Sequence, residues 1–124
     1  MEKIKIDVKA DIRGEIIDIF AEDKKIRLIH TLPGCHRGGY VFHQTEKRAI
    51  LIDGDNTFYF TDPKNPKKEE IHKVSAGDEI IIPKGTAYRE FTENGTYFVG
   101  FMKGDNKWVY YEPYRKIVED SLTH

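Results

Sequence analysis

Gly77-Asp78-Glu79-Ile80-Ile81-Ile82-Pro83-Lys84-Gly85-Thr86-Ala87-Tyr88 sets an apolar run between two turn signals and leads into a second extended run. The run Ile80 to Ile82 makes a short β-branched strand, closed on each side by a turn signal. Gly77-Asp78 opens it. Pro83-Lys84-Gly85 closes it, with Pro83 presetting φ and Gly85 free to take the positive φ of a tight turn. The chain then runs extended through Tyr88-Arg89-Glu90-Phe91-Thr92, which puts Tyr88 and Glu90 on one face.

The same grammar continues in both directions. Ile4, Ile6 and Val8 alternate with charged residues as a half-buried strand does, and Asp11-Ile12-Arg13-Gly14 turns the chain into a second strand, Glu15 to Phe20. Ile26 to Leu32 reads as a strand with Ile26, Leu28 and His30 on one face. Pro33-Gly34-Cys35-His36-Arg37-Gly38-Gly39 reads as a glycine-rich loop leading into Tyr40-Val41-Phe42-His43. It lacks the Gly-Lys-Ser/Thr ending of a phosphate cradle and leads into a strand rather than a helix. Further strands are expected at Arg48 to Asp53, Asn56 to Thr61, Thr96 to Met102 and Trp108 to Tyr111, with a polar surface loop from Asp62 to Lys73. Tyr114, Ile117, Val118 and Leu122 recur at helical spacing behind Pro113, so one helix closes the chain. Many short strands with turn signals between them predict an all-β antiparallel barrel of jelly-roll type with a short C-terminal helix.

Composition narrows the function classes. The 124 residues are expected to make one domain, with 39% hydrophobic residues and a mean hydropathy of −0.60. Twenty basic residues against 21 acidic ones leave no electrostatic footprint for nucleic acid. No apolar run approaches the roughly 18 residues of a membrane span. One cysteine, Cys35, allows no internal disulfide, and the N-terminal Met1-Glu2-Lys3 carries no signal-peptide core, so the expected compartment is the cytoplasm.

The spacing of glycines and prolines resembles that of the cupin superfamily. Gly77, five residues, Pro83, one residue, Gly85, two residues and Tyr88 follows the second cupin motif, in which the last position is a metal-binding His. The first motif begins at Gly34 and puts its two His positions on Tyr40 and Phe42. Its Glu position falls on Glu46 or Lys47, and only the Lys47 spacing ends on a glycine, Gly54. A cupin metal site needs unprotonated imidazole and carboxylate donors converging at about 2 Å. Phe42 cannot ligate, Tyr40 and Tyr88 would have to ionise, and Lys47 would bring a positive charge, so no metal or other cofactor is expected. A shifted site would need His43, which alternation turns to the face opposite Tyr40 and Phe42, and His36, which falls in the loop.

Within the cupins, Arg37-Gly38-Gly39-Tyr40-Val41-Phe42-His43 resembles the Arg-Gly-Gly-His-x-His segment of the dTDP-sugar 3,4-ketoisomerases. It is also similar to the Arg-Gly-x-His segment of the dTDP-4-dehydrorhamnose 3,5-epimerases, and the Asp11-Arg13-Gly14 turn points the same way. The resemblance implies that Arg37 helps to hold a nucleotide diphosphate beside a keto-sugar, with the family's general-base His replaced. Alternation turns Tyr40, Phe42, Lys47, Ala49, Leu51, Tyr88 and Glu90 toward the barrel. Tyr40, His43, Lys47 and Tyr88 are then the candidates for proton transfer; Arg37, His36, Phe42, Glu90 and His30 are the candidates for substrate contact. Lys47 is expected either to act as a desolvated base or to pair with Glu90 or water at a strand end. Two functions follow: a metal-independent isomerase or epimerase of a nucleotide-linked keto-sugar, or a non-catalytic cupin holding a small sugar-like ligand. A homodimer is implied by analogy, with Lys3 to Val8 as an edge suited to exchange.

Overall fold

The computed structural model describes residues 4–21, 24–102 and 107–122. Its elements are β1 (Lys5–Asp11), β2 (Gly14–Ala21), β3 (Lys24–Thr31), β4 (His36–Phe42), β5 (Lys47–Asp62), β6 (Asn65–Ser75), β7 (Glu79–Ile82), β8 (Ala87–Phe91), β9 (Thr96–Met102), β10 (Trp108–Tyr110) and α1 (Glu112–Ser121). Every strand pairing is antiparallel, and the strands join in the order β1-β2-β3-β9-β5-β8-β4-β10, with β6 and β7 added to β5. The result is the expected jelly roll with one C-terminal helix.

The long strand β5 makes the corner. Its first half pairs with β7 and β9, its second half with β6 and β8. The bend is at Gly54, where φ is 95° and an added Cβ would collide with the Gly95 carbonyl. Two separate strands were expected here; a glycine at positive φ lets one strand serve both walls instead. The core fills the space between the walls with Ile29, Phe42, Leu51, Phe58, Phe60, Ile80, Ile82 and Phe98.

Three other expectations fail for physical reasons. The polar segment Asp62 to Lys73 is not a loop: only Pro63-Lys64 turns, and β6 returns along β5. That strand is held by its backbone ladder and is exposed apart from half-buried Val74, so it needs no hydrophobic period. The glycine-rich loop ends earlier than expected, because Gly38 and Gly39, both at positive φ, form a bulge inside β4. A Cβ on Gly39 would stand 2.6 Å from Arg115 Cα, so that glycine also admits α1. Finally, β1 is exposed along its whole length rather than half-buried.

Candidate functional site

Register fixes which side chains share the barrel interior. Tyr40 of β4 lies opposite Tyr88 of β8, and Arg37 lies opposite Glu90; Phe60 and Phe58 of β5 flank the same two positions. Lys47 enters from the start of β5, beside Phe42. Phe42, Lys47, Ala49, Leu51, Tyr88 and Glu90 are buried, and Tyr40 is half-buried. The four positions at cupin-motif spacing therefore converge: the Tyr88 ring lies 6.2 Å from that of Tyr40 and 6.4 Å from that of Phe42. Lys47 Nζ stands 5.3 Å from the Tyr88 ring centre and 5.6 Å from that of Phe42.

Lys47 is neither paired with Glu90 nor at a solvated strand end. Its Nζ donates to Tyr88 Oη at 3.1 Å, and the residue is 7% exposed. Burial lowers its pKa from 10.5 to about 8; the Glu90 charge opposes this, and Arg27, Lys25 and Arg37 reinforce it. Burial pushes the Tyr88 phenol well above its usual range. Glu90 accepts from Asn56 Nδ2 at 3.4 Å, and burial raises its carboxyl pKa against the pull of Lys47 and Arg37.

The donor set does not fit the metal that cupin spacing implies. The convergent groups are two phenols, a phenyl ring and an amine, with no imidazole or carboxylate among the four. His36 sits on the other face of β4, its ring 4.6 Å from Phe91, with its pKa lowered by burial and then by Arg89. His43 is exposed on the turn after β4. His30 lies outside the barrel, stacked on Tyr97 at 4.1 Å and 3.5 Å from Glu15. Among the described residues, no three His, Cys, Asp or Glu side chains gather as a metal site.

Arg37 is inside but engaged. Its Nε donates to Thr31 Oγ1 at 2.8 Å and its Nη2 to the His30 carbonyl at 3.2 Å, so the fork ties β4 to the end of β3. Two groups missed in the sequence share this interior. Asp18, 5% exposed, accepts both arms of Arg27 at 2.7 and 3.0 Å and faces Lys25 at 3.5 Å. Arg27 lies within electrostatic reach of Tyr88 and Tyr40. On the open side, the Tyr40 ring meets Trp108 at 4.7 Å and Tyr110 at 5.6 Å. Arg27 sits between Ile26 and Leu28, and the more apolar alternate set faces outward; alternation alone gave no reason to turn the charged set inward.

No protein-family model matches this chain, and no curated protein matches it. Solved structures do. CapF, the capsular polysaccharide assembling protein from Staphylococcus aureus, superposes with a TM-score of 0.74 at 13% identity, over 86% of this chain and 34% of CapF. An oxalate decarboxylase variant from Bacillus subtilis superposes with a TM-score of 0.71 at 20% identity, over 85% of this chain and 30% of that one. The fold is the cupin jelly roll. This chain spans about a third of either neighbour's length. The decarboxylase carries Mn(II) centres, a chemistry that the inner residues here do not fit.

Proposed function

We propose that this protein is a metal-free cupin that takes a keto-sugar, carried on a nucleotide diphosphate, into its barrel and moves a proton beside the ketone. The observation that carries the reading is Lys47, a buried amine with its pKa near 8, bonded to Tyr88 and walled by Phe42. Proton abstraction next to a carbonyl needs a base that is partly unprotonated near neutral pH, and such a group contributes about 10²–10⁴-fold. Lys47 is the base, and Tyr40 or Tyr88 gives hydrogen bonds to the developing enolate oxygen. Arg37, Arg27 and Lys25 supply positive charge for an anionic ligand. The fold shared with a capsular polysaccharide assembling protein agrees with a sugar substrate. His43, His36 and His30 have no part in this chemistry.

A second reading, a cupin that binds a sugar-like ligand without acting on it, is favoured by the Arg37 fork, whose acceptors are already Thr31 and His30. In either reading two copies pair through the apolar outer face of β1, β2, β3 and β9, and the protein works in the cytoplasm. Among the described residues no helix is long and apolar enough to cross a membrane. Calorimetry with dTDP and a dTDP-keto-sugar, together with NMR detection of deuterium uptake beside the ketone, tests the choice. Binding with exchange that is lost in Lys47→Met supports the isomerase. Binding without exchange supports the ligand-holding reading, and no dTDP binding at millimolar concentration ends the sugar-nucleotide proposal.

A further inference from the structure

We infer that Lys47 is a nucleophile as well as a base, its amine capturing the carbonyl carbon of a small aldehyde or ketone as an imine. The inference rests on the reading that a carbonyl compound enters the barrel, but it requires no nucleotide.

Geometry carries it. An ammonium has three donors, and a buried one needs acceptors for them. Among the described residues Lys47 Nζ has one partner, the Tyr88 hydroxyl at 3.1 Å, and no carboxylate at ion-pair distance. The Phe42 and Tyr88 rings fill the surroundings. A neutral amine suits such a site: it needs one or two partners and presents a lone pair. Desolvation of this kind activates imine-forming lysines, and the lowered pKa leaves about a tenth of the amine free at pH 7. Tyr40, half-buried, stands between the Tyr88 ring and the exposed Trp108 and Tyr110, on the side from which a small carbonyl compound would have to enter.

The step balances without a redox partner. The nitrogen lone pair forms a bond to the carbonyl carbon, and the oxygen takes a proton to give a carbinolamine. The C–O bond then breaks, and both original amine protons leave on the departing water as C=N forms. Tyr88 Oη, in contact with the nitrogen, is placed to relay them. Tyr88 is held as the neutral phenol by burial, so it passes protons rather than storing charge.

The test uses the full-length protein with glycolaldehyde and sodium cyanoborohydride at pH 7, followed by peptide mapping. Lys47 is expected to be reductively alkylated at least tenfold faster than exposed lysines such as Lys67 and Lys68, which lack its desolvated setting. Tyr88→Phe should slow Lys47 labelling by roughly tenfold and change its pH profile while leaving Lys67 labelling unchanged. Labelling of Lys67 and Lys68 with Lys47 untouched in the folded protein overturns the inference. Lys47 labelling without dTDP binding keeps the imine and ends the nucleotide reading; deuterium exchange without a Lys47 adduct keeps the base and ends the imine.

Discussion

The two outer faces of the barrel are both apolar, but among the described residues only one has a cover. Over β4 and β8 the chain lays its own helix: Tyr114 packs with Val41 and Ala87, and Val118 is fully buried. Over β1, β2, β3 and β9 nothing of the described chain lies. Two apolar rows cross that wall, Ile6-Ile19-Ile26-Phe101 and Val8-Ile17-Leu28-Val99. Ile6, Val8, Tyr97 and Phe101 are exposed, and Ile17, Leu28, His30, Tyr97 and Val99 line a groove of about 240 Å³. Four strands at about 4.8 Å spacing and seven or so residues each present a face of roughly 20 by 23 Å, at the upper end of what a monomer leaves exposed. Where the described residues supply no helix, a second copy is the proposed cover. A sheet face carrying the same rows in both partners suits a two-fold interface.

The covered face gives the largest effect. Val118→Asp would bury an unpaired carboxylate under α1, and a loss of about 4 kcal/mol or more is expected in chemical denaturation. A loss below about 1 kcal/mol would mean that the helix is not a required cover.

The inner face follows. Lys47 has a folded pKa of about 8 against an ordinary 10.5, so below pH 8 the folded state carries the full cost of a buried ammonium. Between those two values the unfolded chain binds more protons, and stability should rise with pH by about 3 kcal/mol, with burial, Glu90, Arg27, Lys25 and Arg37 setting the midpoint and Tyr88 in hydrogen-bond contact. Denaturation curves of wild type and Lys47→Met from pH 6 to 10 read the difference. If the two proteins show parallel profiles, Lys47 is not the desolvated group described here.

The uncovered face comes third. Phe101→Asp should weaken the proposed dimer by roughly a hundredfold, as removal of a central aromatic contact does, while costing the monomer less than about 1 kcal/mol. Sedimentation at a range of concentrations measures both proteins. Wild type that stays monomeric at about 100 μM removes the second copy, and the exposed rows would then need another cover.

The inner site was legible where backbone geometry dictated residue type. Gly34, Gly54, Gly77 and Gly85 all have positive φ, and their spacing located Tyr40, Phe42, Lys47 and Tyr88, which the folded chain brings together. Strand alternation was less informative, since it reports two faces without saying which is inside. In β2 and β3 the more apolar face is the outer one, so Asp18 and Arg27 were passed over and His30 was kept as a candidate. The strand β6 gave no period because both its faces are wet. What Lys47 bonds to was beyond sequence, because Tyr88 and Glu90 lie on the same face of one strand and either could have met it.

The smallest effect concerns how the covered face is held. Tyr114 Oη donates to Glu69 Oε2 at 2.6 Å, tying α1 to β6, and burial followed by Glu69 pushes the phenol pKa well above its usual range. Tyr114→Phe removes that bond but keeps the ring, which packs edge-on against Tyr111 at 5.2 Å and under the Arg89 guanidinium at 5.3 Å. Glu69 is exposed and returns to water, so no buried acceptor is left unpaired. The expected cost is about 1 kcal/mol, seen as a fall in Tm of roughly 3–5 °C. Tyr114→Ala, which also removes the ring, should cost about 3 kcal/mol or more. A wide gap between the two variants means that apolar contact holds the cover, as the comparison of the two faces requires. Equal losses would mean that the hydrogen bond holds it, and the bare face of β1, β2, β3 and β9 would then imply no missing partner.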